Sequence, residues 1–228
     1  MTTENMLTGL TTDHLVSLSD NHQLQPEAAK AFLSMQQAAA SAGFNLQPAS
    51  TFRDFQRQQT IWNGKFRGKR PVLDENSQPM DITQLTEGEL CKAILRWSAL
   101  PGASRHHWGT ELDIYDPTML PENQKLQLEP WEYEKDGYFE PLTHWLTENM
   151  AHFGFYRPFV GNSGIAYEPW HISYRPLSEQ LEKLLTEQIL LDVWQQHDIA
   201  GIDWLSVNLP YLFENYLRIP QETTRCNG

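Results

Sequence analysis

Two short segments of the sequence place a histidine close to a carboxylate, and both side chains are common metal ligands. The first segment is residues 104–113, SRHHWGTELD, in which His106 precedes Gly109 and Asp113 follows it. Because glycine permits a tight turn or a close backbone approach, the side chains of His106 and Asp113 could converge across it. The segment therefore contains a candidate metal-binding pair.

The residues after Gly109 are predicted to form a half-buried strand. Residues 110–116, TELDIYD, alternate apolar and acidic side chains, as expected of a strand with one buried face. Leu112 and Ile114 then share the core face, and Glu111 and Asp113 share the other. This alternation aims Asp113 into a polar space. Glu111 could lie behind the metal site or be solvated, and we expect it to be solvated.

The second segment, residues 168–171, adds a carboxylate and another imidazole. Pro169 favours an extended backbone at Glu168, so Glu168 and His171 are expected to flank a bend just before a short strand. Two histidines and one aspartate with an open fourth position suit catalytic zinc. A further glutamate that is not a ligand suits the general base of metal-assisted hydrolysis.

Several neighbouring residues leave alternatives open. His107 rivals His106 as a ligand, and adjacent side chains point in different directions, so we expect only one of them to bind. Trp108 and Trp170 could line a cleft, although tryptophan beside a metal site more often packs and excludes water. A purely structural metal is disfavoured because structural zinc takes four ligands and only three are apparent.

These motifs together resemble the VanY-type zinc D-alanyl carboxypeptidases. Their superfamily also contains VanX dipeptidases, lysostaphin-like endopeptidases and the hedgehog signalling domain. The resemblance rests on Ser-x-His-x-x-Gly-x-x-x-Asp, on the later Glu-x-x-His, and on residues 50–58, STFRDFQRQ, where Phe52 replaces the usual tyrosine. It extends from about residue 26 to 176. The loop 62–82 and the C-terminal part, 177–228, which we expect to be a helical extension, have no match.

The resemblance implies a role for each matching residue and a zinc ion in each chain. His106 is favoured over His107 by the family spacing. The implied fold is a small antiparallel sheet that carries the zinc site and is flanked by helices. The implied zinc ligands are His106, Asp113 and His171; Glu168 is the base; Arg53 polarises the carbonyl or holds the substrate carboxylate; Ser104 and Gln58 contact the terminal D-alanine, and we add Trp170 to these substrate contacts.

The same resemblance implies that the substrate is a peptidoglycan stem peptide that loses a terminal D-alanine. Family members cut either a D,D bond in pentapeptides or an L,D bond after a diamino acid. We expect L,D cleavage of recycled tetrapeptides, because a cytoplasmic enzyme that cut pentapeptide precursors would oppose wall synthesis. The alternatives are a D,D-carboxypeptidase and a non-catalytic zinc-containing module of the hedgehog type.

Local patterns predict the elements that position these residues, in an α+β arrangement and in one domain, 1–228. Helix signals include Pro26 and Gly43 at the two ends of one helix, Asp54 as an N-cap, and a capping box from Thr86 to Glu89. The predicted helices cover 26–42, 54–63, 87–98, 140–152, 177–195 and 202–217; the extended segments are 44–52, 110–116 and 170–174; residues 64–82 are predicted to be a loop.

Composition excludes several classes of protein. The 228 residues carry 17 basic and 29 acidic side chains, a net charge of −12, which argues against nucleic acid or an anionic membrane as a partner. The densest basic cluster, within 65–70, is predicted to be a solvated loop. Cys91 and Cys226 are expected to be free thiols. Residues 1–20 lack the pattern of a secretory signal, so we expect a cytoplasmic location. The oligomeric state is left open.

Overall fold

The two strands that carry the predicted site pair directly in an α+β fold. The computed structural model describes residues 3–218. The helices are α1 (Thr3–Leu7), α2 (Pro26–Ser41), α3 (Phe55–Phe66), α4 (Glu87–Leu95), α5 (Pro130–Tyr133), α6 (Glu140–Asn149), α7 (Arg175–Leu184), α8 (Glu187–Trp194) and α9 (Ile202–Leu212). The strands are β1 (Val16–Ser19), β2 (His22–Leu24), β3 (Gln47–Ser50), β4 (Glu111–Tyr115), β5 (Phe155–Tyr156) and β6 (His171–Tyr174).

The main sheet has four antiparallel strands in the order β3-β4-β6-β5, and β1 and β2 form a separate hairpin. Asp113 of β4 is opposite His171 of β6, and Leu112 is opposite Ile172. Because successive side chains point to opposite faces of a strand, the apolar pair lies on one face and the Asp113–His171 pair on the other. The register of two strands therefore brings the two predicted segments together.

Helix ends follow the predicted capping signals. Asp54 accepts a hydrogen bond from the Arg57 backbone N–H at 2.7 Å, and the capping box between Thr86 and Glu89 forms at the start of α4. Both predicted caps are confirmed. They are predictable from the sequence because a cap depends on residues within one turn of the helix.

Two predictions about elements are wrong, and one observed element was not predicted. The single helix predicted over 177–195 is wrong: α7 ends at Leu184, and Thr186 caps the separate helix α8. The loop predicted from residue 64 is also wrong at its start, because α3 continues through Lys65 to Phe66. The hairpin β1–β2 is absent from the sequence-based prediction.

Two hydrophobic clusters of buried side chains form the core of the described residues. One joins α3 and α4 to the helices after residue 175, through Trp62, Ile94 and Trp194. The other packs α2 and α6 against the sheet, through side chains such as Phe32 and Ile172. The segment after residue 175 is thus built into the first cluster. The expectation of one domain over 1–228 stays a prediction.

Other predictions concern the thiols and the membrane. Cys91 is buried and free, whereas Cys226 and the last part of the expected helical extension lie outside the described residues. None of the helices within residues 3–218 combines the length and the apolar character needed to cross a membrane.

Candidate metal centre

His106, Asp113 and His171 converge at one point of the fold. His106 lies in a 3-10 helix, Arg105–Trp108, which ends at Gly109 with a φ of 69°. That left-handed backbone favours glycine and turns the chain into β4, which carries Asp113. Each of the three buried side chains offers one ligand atom, and these atoms lie within 4.8 Å of one another.

Hydrogen bonds fix the orientation of both imidazole rings. His106 Nδ1 lies 2.7 Å from the Thr51 carbonyl oxygen, so its Nε2 faces Asp113 Oδ2 at 3.4 Å. His171 is turned the other way: its Nε2 lies 2.8 Å from Glu111 Oε2, and its Nδ1 lies 3.1 Å from Asp113 Oδ1. Nε2 of His106 and Nδ1 of His171 are therefore the nitrogens that point toward the aspartate.

The charges of this cluster are strongly coupled. Burial alone would lower the pKa of His171, but the contacts with Asp113 and Glu111 outweigh it and raise the pKa to about 9. Burial would raise the pKa of Asp113, but His106 and His171 hold it well below its usual range. The aspartate is thus a buried anion that is balanced by positive charge, an environment that also suits a cation.

Glu168 lies beside this cluster, at the wall of a cavity of about 270 Å³. Its Oε2 is 3.7 Å from His171 Nδ1, and its carbonyl accepts a hydrogen bond from the His171 backbone N–H at 3.1 Å. Burial raises the pKa of Glu168 to about 7, against the opposing charges of His171 and Arg53. The two residues of the second motif thus flank a turn, as predicted.

Arg53 lines the same cavity and is held by Gln58. Arg53 Nη1 donates to Gln58 Oε1 at 2.9 Å, and Arg53 Nε is buried without a hydrogen-bond partner among residues 3–218. Gln58 is fully buried and donates to the Ala99 carbonyl at 2.6 Å. It is not among the cavity-lining residues. Gln58 thus lies behind Arg53, and its contact with a terminal D-alanine stays a prediction.

The remaining candidates divide between the cavity and the packed interior. Ser104 and Trp170 line the cavity. Trp108 is buried under the Arg105 guanidinium, whose central carbon is 4.7 Å from the ring centroid. His107 is turned away from Asp113: its Nδ1 lies 2.5 Å from the Arg53 carbonyl oxygen, and its Nε2 accepts from the Gly102 N–H at 3.1 Å.

Two residues at the site are missed or misjudged by the sequence-based predictions. Glu111 is completely buried, so the expectation that it is solvated is wrong. Lys65 lines the cavity near the charges of Glu168 and Arg53, so the basic cluster is not simply a solvated loop. The sequence does contain a signal that could place Lys65 near the site. Lys65 follows Gln58 by two helical turns and therefore shares its face of α3.

The chain is similar to known proteins over the part that contains the site residues. A family model described as VanY, D-alanyl-D-alanine carboxypeptidase, matches residues 21–177. Two uncharacterized proteins of Haemophilus influenzae are similar to parts of the chain. One is 49% identical over 121 residues, which are 52% of this chain and 92% of that protein. The other is 56% identical over 102 residues, which are 43% of this chain and 70% of that protein.

Solved structures share the fold. VanYB in complex with D-alanine-D-alanine aligns with a TM-score of 0.52 and 21% identity, over 78% of this chain and 87% of that one. A mutant of a vancomycin-resistance D,D-pentapeptidase VanY in complex with Zn(II) aligns with a TM-score of 0.51 and 21% identity, over 79% of this chain and 92% of that one. The LD-carboxypeptidase LdcB aligns with a TM-score of 0.51 and 22% identity, over 76% of this chain and 75% of that one. At these identities the likeness establishes the α+β architecture.

Proposed function

The chain belongs to the VanY family of D-alanyl-D-alanine carboxypeptidases, and we propose that it is a zinc-dependent hydrolase that removes a terminal D-alanine from peptidoglycan stem peptides. One observation carries this proposal. His106, Asp113 and His171 face one another at the wall of a cavity that Glu168 and Arg53 also line. A ligand set, a base and a fixed cation in one cavity form the machinery that such hydrolysis requires.

The donor set fits zinc. Two imidazole nitrogens and one carboxylate oxygen are suitable ligands, and three protein ligands leave a coordination position open, as in catalytic zinc sites. The ring nitrogens that face away from the cluster already have partners, the Thr51 carbonyl for His106 and the Glu111 carboxylate for His171. We therefore assign Nε2 of His106, a carboxylate oxygen of Asp113 and Nδ1 of His171 as the zinc ligands.

Glu168 is the residue that we assign to proton transfer. Bound zinc would supply Lewis acidity, which lowers the pKa of an attacking water and polarises the scissile carbonyl. Glu168 then accepts the proton of that water at a carboxylate oxygen and delivers it to the leaving amine of D-alanine. Its place beside His171, at 3.7 Å between Oε2 and Nδ1, puts the base next to the proposed ligands.

Arg53 and Lys65 supply positive charge to the cavity. Arg53 is fixed by Gln58 and keeps its Nε–H free of acceptors within residues 3–218, so we assign it to the oxyanion that develops at the scissile carbonyl. Lys65 lines the same cavity and forms no ion pair among the described residues. We assign Lys65 to a carboxylate of the substrate, which an acidic chain would otherwise repel.

The substrate that we propose is a tetrapeptide, cut at the L,D bond before its terminal D-alanine. We choose the tetrapeptide because trimming recycled tetrapeptides does not oppose wall synthesis, whereas cutting pentapeptide precursors does. Both specificities occur among proteins with this fold, since VanY is described as a D,D-pentapeptidase and LdcB as an LD-carboxypeptidase. Cleavage at the D,D bond of a pentapeptide is the competing outcome.

The test is mass spectrometry of the purified, zinc-loaded protein incubated with tetrapeptide and pentapeptide muropeptides. We expect the tetrapeptide to lose one alanine, and we expect a chelator to stop the reaction and added zinc to restore it. A tetrapeptide with an amidated C-terminus is the matched control and should remain intact. Loss of alanine from the pentapeptide alone would assign D,D specificity. Zinc binding without any cleavage would indicate a binding module instead of an enzyme.

A further inference from the structure

Glu111 forms a buried contact with one of the proposed zinc ligands. Its carboxylate is 0% exposed and accepts hydrogen bonds from His171 Nε2 at 2.8 Å and from Ser173 Oγ at 2.7 Å. A buried carboxylate is costly unless it is well partnered, so this placement calls for a specific role. We propose that Glu111 is a positioning residue that holds His171 with Nδ1 directed at the metal. The inference rests on the proposed function and deepens it.

The geometry around His171 makes the orientation of this ring depend on Glu111. The ring lies between two carboxylates, Asp113 on the Nδ1 side and Glu111 on the Nε2 side. A neutral imidazole carries one N–H, and an ionised carboxylate can only accept a hydrogen bond. With Glu111 accepting from Nε2–H, the lone pair of Nδ1 is free for a metal. Partners of this kind fix the tautomer and the ring orientation of histidine ligands.

Arg105 supplies the charge that compensates Glu111. Its Nε lies 3.4 Å from Glu111 Oε2, and its Nη2 donates to Ser173 Oγ at 3.0 Å. Its Nη1 lies 2.6 Å from Glu182 Oε2. A chain of contacts therefore runs from the half-buried Glu182 through the buried Arg105 and Glu111 to His171.

The competing interpretation is that Glu111 only neutralises Arg105. The distances argue against it, because Glu182 already meets Arg105 at 2.6 Å while Glu111 is 3.4 Å away. The shortest contacts of Glu111 are those with Ser173 and His171. Its carboxylate is therefore arranged around the histidine more closely than around the guanidinium.

The affinity for zinc tests this inference without reference to turnover. The dissociation constant is measured by competition with a chromophoric chelator for the native protein, for Glu111→Gln and for Glu182→Gln. We expect Glu111→Gln to bind zinc about 10–100-fold more weakly, the usual loss when the partner of a histidine ligand is mutated, because a neutral amide oxygen is a weaker acceptor than a carboxylate. Glu182→Gln is the matched control, because it takes a carboxylate from Arg105 without touching His171, and its zinc affinity should be unchanged.

A second variant and a spectroscopic measurement complete the test. Glu111→Asp keeps a charge for Arg105 but shortens the reach to His171; it should also weaken zinc binding, and it replaces Glu111→Gln if that variant does not fold. In the zinc-loaded native protein, nitrogen NMR should show the His171 proton on Nε2.

The outcomes that overturn the inference are distinct from failure of the proposed function. Native zinc affinity in both Glu111 variants, an equal loss in Glu182→Gln, or a proton on Nδ1 of His171 would each overturn the positioning role. A native protein that binds no zinc would instead refute the proposed function, and this inference with it.

Discussion

Replacing Arg53 by alanine is expected to slow hydrolysis while the fold and the zinc site persist. Arg53 joins the site scaffold through its backbone, whose N–H donates to the His106 carbonyl at 3.2 Å and whose carbonyl oxygen lies 2.5 Å from His107 Nδ1. Those contacts survive the substitution. The side chain keeps its Nε–H unpartnered among the described residues, while Nη1 donates to Gln58. The expected loss is that of one oxyanion donor, about 100- to 1,000-fold in kcat.

The loss should appear in kcat/KM measured by release of D-alanine from a stem peptide, with zinc content and thermal stability measured in parallel. Arg53→Lys should not restore activity, because lysine keeps the charge but cannot hold Gln58 and offer a second fixed donor. Arg57→Ala, which removes an exposed positive charge one helical turn away, is the matched control and should behave like the native protein. Full activity of Arg53→Lys would show that the position supplies only charge, and near-native activity of Arg53→Ala would refute the assignment.

Three further predictions follow from the contacts of the site. Glu168→Ala should keep its zinc yet lose nearly all turnover, whereas His171→Ala should lose zinc itself; metal analysis beside the activity assay distinguishes them, and an inverted pattern would exchange the roles of ligand and base. Lys65→Met should raise KM more than it lowers kcat, and Lys65→Arg should restore KM; an unchanged KM for Lys65→Met would remove Lys65 from substrate binding. Gly109→Ala should lower the melting temperature by more than Gly43→Ala does. Both glycines have a positive φ, which costs about 1–2 kcal/mol for alanine, but a Cβ at 109 would overlap Leu15 Cδ2, while a Cβ at 43 meets nothing within 4 Å among residues 3–218. Equal melting temperatures would contradict the close approach at Gly109.

Local signals in the sequence predict the framework of the site well. Asp54 and Thr86 start helices where expected, because each cap is complete within one turn. The motif spacing also predicts that His106, Asp113 and His171 meet, and the pairing of β4 with β6 brings them together. The capping signals are local, whereas the meeting of the three side chains depends on strands far apart in the chain and is implied by the family resemblance.

Features that depend on packing from distant parts of the chain are not predictable in this way. The alternation in β4 shows that Glu111 shares a face with Asp113, but not that Arg105 and Ser173 cover that face. Lys65 is predicted in a loop because residues 64–82 are rich in glycine, proline, lysine and arginine, although a helix tolerates an internal glycine at a cost of about 1 kcal/mol. The burial of Glu111 and the position of Lys65 at the cavity therefore depend on tertiary contacts that local sequence patterns do not reveal.

Anomalous diffraction from zinc-soaked crystals of the native protein tests the central claim most directly. The peak measured at the zinc absorption edge should lie about 2.0–2.2 Å from Nε2 of His106, from a carboxylate oxygen of Asp113 and from Nδ1 of His171. Glu168 should stand beside the metal without coordinating it. The absence of a peak at this cluster, or coordination through Nε2 of His171, would contradict the account.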